Sequence, residues 1–476
     1  MSEFIKNILL FLYILTIFWH TNDCEFTADT CRQLNSTENV TCFELYARTT
    51  IAFANEEHFK IYVSSDYQTF TITCSGSKDD VLNISYSLPN ITLGQLDDIV
   101  IDGCIPFEYI FEQLGIIINA TLKLQRGVTD TPLERSQLAS LTALSSFVLS
   151  GFESINEDVL ADFENLETLE LTRFEAPIPA GLLAPIGENL TKLQMRENRM
   201  NMLSAGIFDQ LKRLERLDLS FNGLTTLTSS TFKQLYNLTD LDLSNNQITH
   251  LPAKAFESLH KLTTLYLSNN RLTQLELSTF ATLSKLQHLQ IENNALDFVA
   301  NQACRIFDGL TNLEYLELSN NLLSAFCLPH NMGAVRVNVA HNQISALLVQ
   351  TGEIQPGQLS SLNVRNNRLQ YLNNVALQYL HDSQAELSLA HNPWKCDCES
   401  VLWLNFVKLN HKRVADLHEL SCAVDGSTMG KVVQLTSNDV CKLSGKEIYY
   451  LAAIAAVTLL AVVALIAAFL FWRAAK

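Results

Sequence analysis

Three sets of residues in this chain are of types that could do chemistry. The first is four cysteines, Cys396, Cys398, Cys422 and Cys441. As thiolates they could hold zinc; oxidised, they would form two disulfides. The second is Asp240 and Asp242, alternate residues of one short segment. On a strand both carboxylates would face the same way. Facing carboxylates can share acid–base work, but they are also an ordinary solvated face. The third is His411 and His418, which have no metal-spaced partner and read as surface residues. The chain has no HExxH, GxSxG, P-loop or βαβ-borne GxGxxG. The expectation is a binding protein rather than an enzyme, with no catalytic residue, metal or cofactor.

The compartment decides between zinc and disulfides. N-x-[ST] sequons stand at Asn35, Asn39, Asn83, Asn90, Asn119, Asn189 and Asn237, which points to a luminal or extracellular chain. Disulfides persist there, so most of the 11 cysteines should be paired, and the odd number leaves at least one without an intrachain partner. The formal net charge is −17, without a cluster of Lys or Arg. That argues against nucleic acid as a partner, and none is expected, because its binding needs a basic footprint.

The elements that must position these residues come from a repeat. From residue 190 the chain reads "LTKLQMRENRM", "LERLDLSFNGL", "LTDLDLSNNQI", "LTTLYLSNNRL", "LQHLQIENNAL", "LEYLELSNNLL", "AVRVNVAHNQI" and "LSSLNVRNNRL", then "QAELSLAHNPW". The asparagine column is Asn198, Asn222, Asn246, Asn270, Asn294, Asn321, Asn342, Asn367 and Asn392. Its first intervals are 24 residues, followed by one of 27 and one of 21. Upstream, "LDDIVIDGC", "NATLKLQRG", "LSSFVLSGF" and "LETLELTRF" keep the strand spacing without the asparagine. L-x-x-L-x-L-x-x-N-x-L is the signature of a leucine-rich repeat. One short strand per repeat should stack in parallel on the next, with leucines inward. Each asparagine amide should bond backbone of adjoining turns. Phe208, Phe232, Phe256, Phe280 and Phe307 should close the convex side.

The expected fold is an α/β solenoid: a leucine-rich repeat horseshoe with a parallel β-sheet on its concave face, cysteine-rich caps and a single transmembrane helix. Residues 1–22 read as a signal peptide, with a retained anchor as the alternative. Residues 23–95 form an N-terminal cysteine-containing cap, 96–391 the repeats and 392–441 the C-terminal cap. A linker at 442–447 leads to Ile448–Trp472, uncharged and about 37 Å long as a helix at roughly 1.5 Å per residue. Tyr449, Tyr450 and Trp472 flank it, and Arg473 and Lys476 follow in a four-residue tail, 473–476. This describes a single-pass type I protein of the plasma membrane with its N-terminus outside; a GPI-anchor signal is the alternative. Cys304 and Cys327 lie in the 27/21 irregularity. A disulfide tying an extended loop to the next repeat is expected there, with buried free thiols as the alternative.

Function should sit on the concave face. Residues flanking the inward leucines project from it, including Asp218 and Glu292. The candidate ligand-binding residues are Arg216, Asp240, Asp242, Tyr266, His288, Gln290, Tyr315 and Glu317. They combine aromatic with polar side chains, a composition favoured at hot spots, and no sequon follows residue 239.

"FKIYVSSDYQTFTITC" (59–74), "LDDIVIDGCIPFEYIFEQLGI" (96–116) and the stretch at 133–171 are too particular for generic repeats. Together with "NPWKCDC" (392–398), Cys422 and "LTSNDVC" (435–441), they resemble arthropod Toll receptors. The resemblance implies disulfides Cys396–Cys422 and Cys398–Cys441, as in the cysteine-rich flank of extracellular leucine-rich repeat proteins, and bonded Cys74 and Cys104. It further implies a receptor ectodomain for a Spätzle-type cystine-knot cytokine, bound through N-terminal repeats that correspond to residues 98–242. Such receptors signal through a cytoplasmic TIR domain, which the chain is expected to lack. The expected role is therefore a decoy, co-receptor or modulator whose partner is an extracellular protein ligand or receptor ectodomain, with homo- or heterodimers. The alternative is an adhesion protein working by homophilic or heterophilic contacts.

Overall fold

The computed structural model describes residues 144–298, 303–329, 335–350 and 359–424, shorter pieces at 133–142 and 428–435, and strands between residues 40 and 125. The chain divides into two compact units, the first running to Leu322 and taking in Val335. Among the described residues no helix is long and apolar enough to cross a membrane. The expected signal peptide and membrane segment, 1–22 and 448–472, lie outside them.

The first unit begins with strands that the repeat pattern did not reveal. Val40–Glu44, Arg48–Phe53, Phe59–Ser64 and Thr69–Cys74 pair antiparallel in succession. Thr69–Cys74 then pairs in parallel with Asp98–Asp102, and every later pairing in this unit is parallel. From Lys192–Gln194 onward the strands shorten to three residues, and they keep register through Arg216–Asp218, Asp240–Asp242, Thr264–Tyr266, His288–Gln290 and Tyr315–Glu317. The central leucine of each strand is buried, at about 1.5–3 kcal/mol per side chain relative to exposure.

Three-residue strands make too few ladder bonds to fix their own stacking, so side chains finish the work. Asn246 is typical. Its Oδ1 accepts from Leu224 N of the preceding repeat at 3.0 Å. Its Nδ2 donates back to Leu219 O at 3.0 Å and to Leu243 O and Ser244 O of its own turn at 3.1 Å. The same bonds recur at Asn270 and Asn294. In the upstream repeats that lack the asparagine, Phe152 and Phe174 occupy this column and stack at 5.9 Å. The ring brings no polar group of its own, and Phe174 N donates to Asn198 Oδ1 of the next repeat at 3.0 Å.

The residue before each asparagine is left-handed: φ is 55° at Phe221, Asn245, Asn269 and Asn320, and 56° at Asn293. A left-handed residue turns the chain sharply out of the strand. Asparagine tolerates this conformation; a phenylalanine does so at a cost of about 1–2 kcal/mol. On the far side, single turns replace helices. Leu211 N, Leu235 N, Leu259 N and Leu283 N bond back to the carbonyls of Phe208, Phe232, Phe256 and Phe280. Those rings and Phe307 stack at 6.2–6.4 Å, one per repeat.

The strand Val335–Asn338, in the second unit from Arg336 on, pairs with Leu359–Asn363, which pairs in parallel with Glu386–Ser388. A second pairing, Ala325–Cys327 with Ala346–Leu348, was not legible from the repeat motif. A helix forms at Asn374–Ser383, where Asn373 caps Ala376 N at 2.8 Å. The last strand would end on open backbone groups. Asp416, 3% exposed, closes it by accepting from Leu389 N at 2.9 Å and Ala390 N at 2.8 Å, and Arg365 lies 3.3 Å from its carboxylate. Trp394 packs on Trp403 at 4.8 Å beside the Cys396–Cys422 disulfide.

Two substitutions test these roles. Asn246→Ala strands the Leu224 N–H and takes one of two donors from Leu219 O, Leu243 O and Ser244 O, so urea unfolding of the ectodomain should show a loss of about 1–3 kcal/mol. Phe221→Asn relieves the left-handed strain and should gain about 0.5–1 kcal/mol in the same assay. A neutral Asn246→Ala would refute the ladder's role, and a destabilising Phe221→Asn would refute the strain.

Candidate functional site: the exposed strand face

The strand register brings the candidate ligand-binding residues into two adjacent columns. One reads Arg216, Asp240, Thr264, His288, Tyr315; the other reads Asp218, Asp242, Tyr266, Gln290, Glu317. Backbone bonds of 2.8–2.9 Å from Leu219, Leu243, Leu267 and Ile291 to the next strand continue the spacing beyond the paired residues. The columns are therefore rigid, at about 4.8 Å from strand to strand.

Electrostatically the face is acidic. Its one guanidinium in these columns, Arg216, lies 3.8 Å from Asp240, with both side chains well exposed, so the pair contributes little. Asp240 also accepts from Thr239 Oγ1 at 2.7 Å. Asp242 is half-buried, and its Oδ1 accepts from Ser244 N at 2.8 Å. Burial pushes the Asp242 carboxyl up from its ordinary range, and the Asp218 charge adds to this, against the Ser244 hydrogen bonds. Burial likewise raises the Tyr266 phenol, helped by Asp242 and Asp240. Tyr315 is raised further by burial, by its hydrogen bond to Glu317 and by the charges of Glu317 and Glu292. That bond, Tyr315 Oη to Glu317 Oε2, is 2.8 Å.

Two of the candidates do structural work that the motif did not reveal. Glu317, 7% exposed, accepts from Ser319 N at 2.9 Å, as Asp242 does from Ser244 N and Asp218 from Ser220 N. An acid in this column ties down the N–H two residues on, just before the left-handed corner. Where Tyr266 stands instead, Ser268 is left with an enclosed Oγ that has no hydrogen-bond partner. Glu292, in the equivalent position of the next repeat, has an enclosed and unpartnered Oε2. Ser268 was invisible to motif reading, because its significance depends on what its neighbour fails to supply.

Of the sequon asparagines, Asn189 and Asn237 are described. Each precedes the first leucine of a repeat, and its Nδ2 donates to the preceding repeat, to Glu164 O at 2.6 Å and Lys212 O at 2.7 Å. Asn35, Asn39, Asn83, Asn90 and Asn119 lie outside the described residues, as do Cys104 and Cys441; Cys74 ends a described strand. Cys304, Cys327 and Cys398 are each disulfide-bonded.

Residues 212–272 and 260–323 match the family model for leucine rich repeats. No curated protein matches the chain. Among solved structures, the chain is similar to one in the Drosophila Toll–Spatzle complex, glycosylated form, at 16% identity, covering 88% of this chain and 100% of that one, with a TM-score of 0.30. It is similar to one in the mouse RP105/MD-1 complex at 21% identity, covering 71% and 67%, with a TM-score of 0.44. It also resembles one in the TLR13–ssRNA13 complex at 19% identity, covering 72% of this chain and 60% of that one, with a TM-score of 0.43. The central part of this chain is built of leucine-rich repeats.

The raised Asp242 carboxyl has a consequence for stability. An acid whose folded pKa lies above its unfolded value destabilises the fold when ionised. The penalty is complete above the folded pKa and fades as pH falls through it. Asp242→Asn keeps an oxygen for Ser244 N and removes the charge. The variant should melt above wild type at pH 7, and the gap should close toward pH 4; equal melting at pH 7 would contradict the assignment.

Proposed function

We propose that this chain is a cell-surface recognition protein of the Toll type that binds an extracellular protein ligand through the strand face spanning Arg216 to Glu317. The observation that carries the reading is the pair of register columns, in which aromatic and acidic side chains stand on strands locked by the asparagine ladder. A rigid face loses little conformational entropy on binding, and tyrosines on it supply contact area at low cost. Nothing in these columns pairs a nucleophile with a base. A Spätzle-type cystine-knot cytokine is the first ligand to try, because the chain's two ends resemble arthropod Toll receptors in sequence. The uncharged segment 448–472 would anchor the ectodomain.

A glycan placed on the face tests this directly. His288→Asn with Gln290→Thr creates a sequon on the strand His288–Gln290. Glu276→Asn creates one with Ser278 on an outer turn, well away from the columns. Both ectodomains, secreted and shown to be glycosylated, are titrated with a panel of Spätzle-type cytokines. Binding by wild type and by the outer-turn variant, with loss of about 100-fold or more in the strand variant, is expected. Equal binding by both variants, or no binding by wild type, would overturn the proposal.

A further inference from the structure

We infer that Asn189 and Asn237 accept their glycans only while the chain is unfolded: the oligosaccharide must be attached before their repeats pack, and the packed repeats close both sites to the transferase. The inference requires only that the chain enters the secretory lumen, and it holds whatever the strand face binds.

A sequon is three residues, and the fold uses all three. Both asparagines stand at the same place in the repeat, just before the strands Lys192–Gln194 and Asp240–Asp242. Asn189 Nδ2 donates to Glu164 O at 2.6 Å and Asn237 Nδ2 to Lys212 O at 2.7 Å, each one repeat back. Their Oδ1 atoms accept from the following repeat, from Arg213 Nη1 at 3.4 Å and from Lys261 Nζ at 2.7 Å. The middle residues, Leu190 and Leu238, are 0% exposed. Thr191 Oγ1 donates to Glu167 O at 3.1 Å, and Thr239 Oγ1 is 2.9 Å from Glu215 O and 2.7 Å from Asp240 Oδ2. Thr191 N and Thr239 N donate to the same two carbonyls at 2.8 Å.

Transfer makes a bond at Nδ2. The nitrogen attacks C1 of a lipid-linked oligosaccharide diphosphate. The bond from C1 to the diphosphate oxygen breaks, the lipid diphosphate leaves, and one Nδ2 proton passes to a base of the transferase. An Nδ2 bonded inside the repeat must first be turned out, and a buried leucine and a threonine hydroxyl must come with it. Each amide touches the repeats before and after it, so the site closes once its neighbours stack. The product meets no such obstacle. A side-chain amide has two N–H groups and transfer consumes one, so the other can keep the bond to Glu164 O or Lys212 O. Both asparagines are half-buried, which leaves the sugar a way out. The fold accommodates the glycan but not its attachment.

An outer turn supplies the contrast. Leu277 is 37% exposed, so the sequon made there by Glu276→Asn stays open in the packed protein. The full chain carrying Glu276→Asn is translated into microsomes. The transferase is either active throughout or blocked by a competing acceptor tripeptide, which is washed out after folding. Site occupancy is read by mass spectrometry. With the transferase active throughout, all three sites should be filled. After late release the outer-turn site should fill, while Asn189 and Asn237 stay at least about tenfold lower. Leu193→Asp, added to the same chain, puts a charge at a fully enclosed position, opens the repeat and should restore late filling at Asn189. If limited proteolysis shows that the unglycosylated chain fails to fold, a pulse–chase in cells carries the test. Chains that leave synthesis bare at Asn189 or Asn237 should then stay bare, while those bare at the outer turn are filled. Late filling of Asn189 and Asn237 to the level of the outer turn would overturn the inference. So would an outer-turn site that also stays bare, no recovery in Leu193→Asp, or both asparagines bare with the transferase active throughout.

Discussion

Each asparagine of the ladder commits both ends of its side-chain amide to backbone outside its own residue. Asn246 accepts from Leu224 N and donates to Leu219 O, both one repeat back. Without it, the buried Leu224 N–H would be unpaired, at about 1–3 kcal/mol, and three carbonyls would each lose one of two donors. Everything else in the repeats follows from this requirement. The chain must leave the strand sharply enough to bring the amide inward, so the preceding residue is left-handed. The strand must stop early, so it has three residues. Neighbouring repeats must then stack in one register, so their outward side chains form straight columns.

A face built this way is rigid but not free of obligations. Asp218, Asp242 and Glu317 each hold an N–H two residues on while also presenting a carboxylate outward. These acids are ordered in advance, which lowers the entropy a ligand must overcome. Asp242 shows the cost: burial disfavours its charge. Local stability and recognition therefore pull on the same side chain.

Much of this was legible in the chain. The asparagine column, the inward leucines and the phenylalanine stack follow from spacing alone, because a fixed period forces equivalent residues into equivalent places. The four antiparallel strands from Val40 to Cys74 were not legible. The link between the first two, Leu45 to Ala47, carries no Gly, Asn, Asp or Pro to mark a turn. The pairing of Ala325–Cys327 with Ala346–Leu348 was hidden because it falls where the period breaks. At the site, alternation along each strand placed Asp240, Tyr266, His288 and Tyr315 outward. It could not tell that Glu317 would be nearly enclosed, or that Ser268 would lose its partner to Tyr266. Those facts depend on where a backbone N–H points at the corner.

The central claim is that an extracellular protein is recognised on the columns from Arg216 to Glu317. Carboxyl footprinting of the ectodomain, free and saturated with its protein ligand, measures this most directly. Labelling of Asp240, Asp242 and Glu292 should fall on binding, while Glu257 and Glu276 on the outer turns stay unchanged. Protection confined to Glu257 and Glu276, with Asp240, Asp242 and Glu292 labelled as in the free protein, would contradict the account.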